Sequence, residues 1–277
     1  MSIDPSKPSP AVCRERKTAA DHEPAEALAA RLLDGAGAAH LHPVAAELPS
    51  PGPVLHGRDD LGNLLVLAGP ERGSGWEPTD CGPGIPVHLS ITQEAPFAWL
   101  KVRLADLFLH GHLRSAPPLA RHHLAARASD SPHLAGALQT WKDAQLYVIE
   151  PTAIRVRTPL AGAAALGPGD VRYAEADRVA RDSASLVHEV LALPQDQFRG
   201  LVTARARSLR REEWGPRVSF EAAYPVAIDG WGLTALAVRR RNSFLVRVPF
   251  ARRARQPREA YDETLALLRG GSAGLAG

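Results

Sequence analysis

Cysteine is nearly absent. Cys13 and Cys81 are the only two in 277 residues, too few for a disulfide framework or a cysteine zinc quartet. No run of about 18 uninterrupted apolar residues occurs, so no membrane helix is expected. The opening MSIDPSKPSPAVCRERK lacks the apolar centre of a secretory signal. Rich in Pro, Ser and charge, it predicts a disordered tail over residues 1–20, and a cytoplasmic location is the simplest expectation. Aromatics make up only 5% of the chain, so few stacking platforms exist for bases and nucleic-acid binding is not expected. Several catalytic motifs are missing too. His188-Glu189 is not a zincin pair, because the second imidazole would stand at position 192, which is Ala192. No G-x-S-x-G elbow and no Walker loop are present. Gly35-Ala36-Gly37 follows a helical pattern, not a strand, which removes the dinucleotide-loop reading.

What the chain does contain is enough apolar residue, 45%, for two compact units. Its net charge of +3 is modest. The positive charge is almost all Arg, clustered at 205–211, 239–241 and 252–258. We read these clusters as solvated faces, with phosphate or propionate binding as the alternative.

The first half predicts a helix over 23–34, stopped by Gly35 and Gly37, and then short strands at 38–48, 54–56, 64–67 and 85–92. A strand pair follows across 102–113, then a helix over 118–128. A last strand or pair is read at 146–149 and 154–156. Strands of this length and spacing predict a barrel in place of a parallel sheet. In the strand at 85–92, Val87, Leu89 and Ile91 form an apolar face, read as a candidate dimer contact. Residues 159–177 read as a loose connection. Two helices, 181–193 and 195–214, meet at Pro194.

The stretch from Tyr224 to Phe250, YPVAIDGWGLTALAVRRRNSFLVRVPF, reads as a three-strand meander followed by a helix over 257–269. Asp229, Gly232, Leu233, Val248, Pro249 and Phe250 in that order resemble the small C-terminal domain of HugZ-like haem-utilisation proteins. In that family the domain follows a flavin-type split barrel of the pyridoxamine-phosphate-oxidase superfamily. The resemblance implies an α+β fold: a split β-barrel over 21–175, and an α/β domain over 176–272 with the meander and flanking helices. It further implies a homodimer that takes haem, another tetrapyrrole or FMN. The family's His pair in the first C-terminal helix is half kept: His188 is present and Leu193 stands in the second place. That departure leaves His188 a packing role. The family's tail histidine has no counterpart in the closing GGSAGLAG, so haem degradation is not carried over.

Two candidate sites follow. His40-Leu41-His42 and His110-Gly111-His112 are H-x-H pairs on predicted strands, so each pair lies on one side of its sheet. His110 and His112 are the candidate axial ligands for haem iron, a role neutral imidazole suits. No metal site is assigned to the pairs, since no carboxylate or Cys completes either one. For FMN, Lys101 and Arg103 near Ser90 and Thr92 are the candidate phosphate holders. The preceding loop GPERGSGWEPTDCGPG is acidic and would repel a phosphate dianion, so a degenerate flavin site is expected. Three functions stay open: a haem- or tetrapyrrole-handling protein that binds more than it catalyses, an FMN-dependent oxidoreductase, and a non-catalytic dimeric interaction module.

Overall fold

The computed structural model describes residues 22–45, 52–69, 84–97, 99–116, 132–141, 144–209, 218–240 and 242–273. The chain divides into two compact units, one of Pro24–Thr158 with Ala163–Ala176, the other containing Asp177–Gly277.

The first unit begins with helix α1 (Ala25–Leu33), whose Leu28, Leu32 and Leu33 join the barrel core. Gly35 and Gly37, both at positive φ, end it and turn the chain into β1 (Ala38–Pro43). Then come β2 (Gly52–Arg58), β3 (Leu64–Ala68), β4 (Ile85–Glu94), β5 (Arg103–Ser115), helix α2 (Pro132–Thr140) and β6 (Gln145–Thr158). The strands run β3-β2-β1-β4-β5-β6, and β6 pairs back to β3, closing a six-stranded antiparallel barrel. Its inward side chains alternate along each strand, as a pleated half-buried sheet requires. They include Leu41, Val66, Leu89, Leu107, Leu109 and Ile149. The outer side of β3 is covered as well: Leu65 and Leu67 pack against Leu134 of α2 and Leu146 of β6.

Several expectations are corrected here. The strand pair across 102–113 is one strand, β5, whereas the strand or pair read at 146–149 and 154–156 is a single strand, β6, that runs through Pro151. Pro151 is tolerated mid-strand because it sits at a β-bulge, where a missing N–H breaks no ladder bond. Bulged Thr152 sends its hydroxyl to the His110 carbonyl at 3.1 Å. The helix over 118–128 lies outside the described residues. The connection at 159–177 holds strand β7 (Gly162–Leu166), which follows β6 in the sheet, and helix α3 (Pro168–Arg172). The short run Gly-Ala-Ala-Ala-Leu has no β-branched residue to announce a strand, so edge pairing decides it. Val87, Leu89 and Ile91 are 1%, 1% and 0% exposed. They fill the barrel and cannot be a dimer surface.

The second unit holds helices α4 (Arg178–Arg181), α5 (Ser183–Leu191) and α6 (Gln195–Ser208), strands β8 (Ala222–Asp229), β9 (Gly232–Arg239) and β10 (Asn242–Pro249), and helix α7 (Pro257–Ala273). The strands form an antiparallel meander in the order β10-β9-β8. Leu186 and Val190 of α5, Phe198 and Val202 of α6 and Ala260 of α7 are buried with Val226, Leu233, Ala235 and Val246 of the sheet. Asp229 accepts from the backbone N–H groups of Trp231 and Gly232 and from Arg247, itself buried. Asp177 caps α4 through Val179 N–H and accepts from Gly230 N–H at 2.6 Å. His188 does not pack: it is exposed and its Nδ1 bonds the Ala184 carbonyl one turn back.

Candidate functional site

The outward side of β1, β4, β5 and β6 carries the chemistry of the barrel unit. Register fixes what stands beside what. Ala38, Thr92, Asp106 and Arg157 form one row across the four strands; His40, Ser90, Phe108 and Arg155 form the next. The third row is His42, His88, His110 and Ala153. His112 lies one step further along β5, opposite Pro86 on one side and Glu150 on the other.

Three imidazoles therefore stand in line on adjacent strands. The His88 and His110 rings are 4.1 Å apart between centroids and nearly perpendicular at 74°, while His40 and His42 stack at 6.5 Å along β1. His88 is held below the ordinary histidine value, first by burial and then by the neighbouring His110 and His42, whose charges would oppose its own. His40, His42 and His110 are exposed, His88 and His112 half-buried. Phe108 adds an apolar ring that is 40% exposed on the same surface.

The first row is a charge network. Asp106 is buried and accepts from Thr92 Oγ1 at 3.1 Å and from Arg157 at 2.7 Å. Arg103 approaches the same carboxylate at 3.5 Å, and the Arg157 guanidinium lies 5.9 Å from the Phe108 ring centroid.

The residues expected to hold a cofactor thus fall into two places. His110 and His112 share the outward side of β5. Arg103 opens that strand and Lys101 just precedes it, roughly 24–37 Å from the two histidines at about 3.4 Å per residue. They are exposed, and Arg103 already faces a carboxylate. The acidic loop preceding β4 lies outside the described residues. Sequence reasoning missed His88, the centre of the row. Its outward position in β4 was readable from the alternation, but its neighbours depend on β4 lying between β1 and β5. Asp106, Phe108, Arg155 and Arg157 were missed for the same reason.

Elsewhere the barrel unit has a cavity of about 410 Å³ lined by residues including Leu33, Arg58, Asn63, Ile154, Val171 and Arg172. Its central cation is already used. Arg58 binds Asp34 through Nε at 2.6 Å and Nη2 at 3.0 Å, and donates to the carbonyls of Val171 and Ala174. Asn63 is likewise tied to Asp59. This is a structural knot joining the end of α1 to α3. Beside it His56, buried, bonds the Leu32 carbonyl at 2.7 Å, and burial pushes its pKa down to about 4.

No protein-family model and no curated protein sequence matches the chain. Solved structures do. A haem-binding protein from Mycobacterium smegmatis is 17% identical with a TM-score of 0.53, over 91% of this chain and 99% of that one. A protein of unknown function from Agrobacterium tumefaciens is 15% identical with a TM-score of 0.36, over 88% and 95%. HutZ, a haem storage protein from Vibrio cholerae, is 14% identical with a TM-score of 0.31, over 45% and 85%. The mycobacterial likeness spans both units, and this chain has the split-barrel α+β fold.

Proposed function

We propose that the protein binds haem or a related tetrapyrrole on the outward side of β1, β4 and β5, with one imidazole of that surface as an axial ligand to iron. The observation that carries this is the row of imidazoles beside an exposed aromatic ring. The residues suit the group: neutral imidazole ligates haem iron, Phe108 offers apolar surface to a macrocycle, and Arg155 in the Phe108 row can pair a propionate. His110 is the proposed ligand, with His112 at the next outward position. The resemblance of the meander to the HugZ-like domain and the fold shared with the mycobacterial haem-binding protein support the reading. A homodimer and a cytoplasmic location belong to the same proposal and rest on the family resemblance and the sequence.

Binding of FMN is the weaker reading. Arg103 faces the Asp106 carboxylate, which opposes a phosphate at that end of β5. The test is an absorption titration of the purified chain with haemin and, separately, with FMN. A saturable Soret change that the double variant His110→Ala, His112→Ala abolishes is expected. An unchanged Soret band in the intact protein refutes the haem reading, and a retained yellow flavin would put Lys101 and Arg103 forward instead.

A further inference from the structure

The row of His42, His88 and His110 holds more imidazoles than a haem on this surface can use. Two axial ligands approach an iron from opposite sides of the macrocycle, so a single sheet face supplies one of them. Imidazoles on neighbouring strands instead stand side by side. Directly opposed cross-strand residues have Cβ atoms about 4.5–5.5 Å apart, a spacing that lets both rings turn a nitrogen toward one ion at about 2.0–2.1 Å. His88 and His110 are such a pair, and His42 is the partner of His88 on its other side.

We propose that His88 and His110, with His42 as a third ligand, form a surface site for a divalent transition-metal ion of the zinc or copper class, which shares His110 with the haem reading and so competes with haem for that ring. The rings now meet edge to face, and no three ligands among the described residues already converge on an ion. Closing the site calls on rotation of the side chains about a backbone register that already sets them side by side. His42 and His110 are exposed and Ala153, across from His110, is small, while His42 has to leave its stack on His40. Surface rotamers exchange in picoseconds to nanoseconds. Imidazole is the ligand type that zinc, copper and nickel favour, with copper held most tightly. Three imidazoles would leave a fourth position open, the arrangement of an exchangeable site more than a structural one.

Metal competes with protons for imidazole. His88 meets only other histidines across its row, His42 from β1 and His110 from β5, and the Asp106 carboxylate two rows away is taken by Arg157.

The test is calorimetric titration of the chelator-treated full chain with zinc chloride, repeated with copper(II) sulfate and read by visible absorption. One equivalent of metal per chain is expected, copper tighter than zinc. His88→Ala and His110→Ala should each weaken binding by at least the roughly 10–100-fold that loss of a ligand's supporting partner costs. His188→Ala, exposed on α5, should leave it unchanged. Absence of saturable binding overturns the proposal, as does binding that survives both substitutions in variants whose far-UV circular dichroism is intact. Haemin titrations on the same proteins separate the two readings. Zinc binding without haemin binding supports this site and refutes the haem reading, whereas haemin binding without zinc binding does the reverse.

Discussion

Acid should weaken this fold through one buried side chain, His56. It is 2% exposed and surrounded by the junction of α1 and β2, with its Nε2–H donating to the Leu32 carbonyl. Desolvation dominates its shift to about 4; the hydrogen bond to Leu32 works against it, His133 adds to it, and Asp34 opposes it. In the unfolded chain the ring takes up its proton near 6.5. Between those values the unfolded state binds more protons than the folded one, so stability falls as pH drops through the window from 6.5 to 4. The linkage gives a loss of about 2 kcal/mol at pH 5 and about 3 kcal/mol at pH 4, relative to neutral pH. Carboxylates titrate in part of this range, so the readout is a difference. His56→Gln keeps an N–H near the Nε2 position and removes the titration. In urea unfolding at pH 7.5, 6, 5 and 4, the native chain should lose stability on acidification more steeply than His56→Gln, by this amount. Parallel losses in the two proteins would refute the reasoning.

Two further substitutions test the framework. A Cβ at Gly111 would lie 2.4 Å from the Glu150 carbonyl oxygen, so Gly111→Ala should cost about 1–3 kcal/mol and lower the thermal midpoint by several degrees. Because the strain falls between His110 and His112, the same substitution should also weaken haemin binding in the Soret titration. Arg247→Ala removes the cation from the buried Asp229–Arg247–Thr234 set and should cost about 3 kcal/mol in urea unfolding; a loss under about 1 kcal/mol would show that the pair is not energetically coupled.

The barrel and the meander were legible because both rest on period-two alternation. Val87, Leu89 and Ile91 announced β4, and Phe244, Val246 and Val248 announced β10. The phrase that carried the family resemblance turns out to be structural in every position the structure explains. Asp229 closes the turn between β8 and β9, a Cβ at Gly232 would lie 2.4 Å from the Val248 carbonyl oxygen, and Phe250 N–H donates to the Trp231 carbonyl. Such a phrase reports a fold and not a reaction. The histidine row was illegible for the opposite reason. His42, His88 and His110 are distant in sequence, and nothing in any one strand says which strand lies next to it. Whether 146–149 and 154–156 form one strand or two was left open by the sequence, since only the pairing shows that a bulge absorbs Pro151 where a regular ladder would reject it.

Closure of the barrel on β3 sets an order in time during synthesis. Leu64–Ala68 find their partners in Gln145–Ile149, roughly 80 residues later in the chain. At about 5–20 residues per second, β3 waits on the order of 4–16 seconds with one edge unpaired. Its five side chains, Leu-Leu-Val-Leu-Ala, include no charge and no proline to deter another strand from pairing there. The nascent chain is therefore most exposed to misassociation in the interval before β6 emerges. Slowing translation between residues 70 and 145 should raise the insoluble fraction, while the finished protein keeps no trace of that hazard.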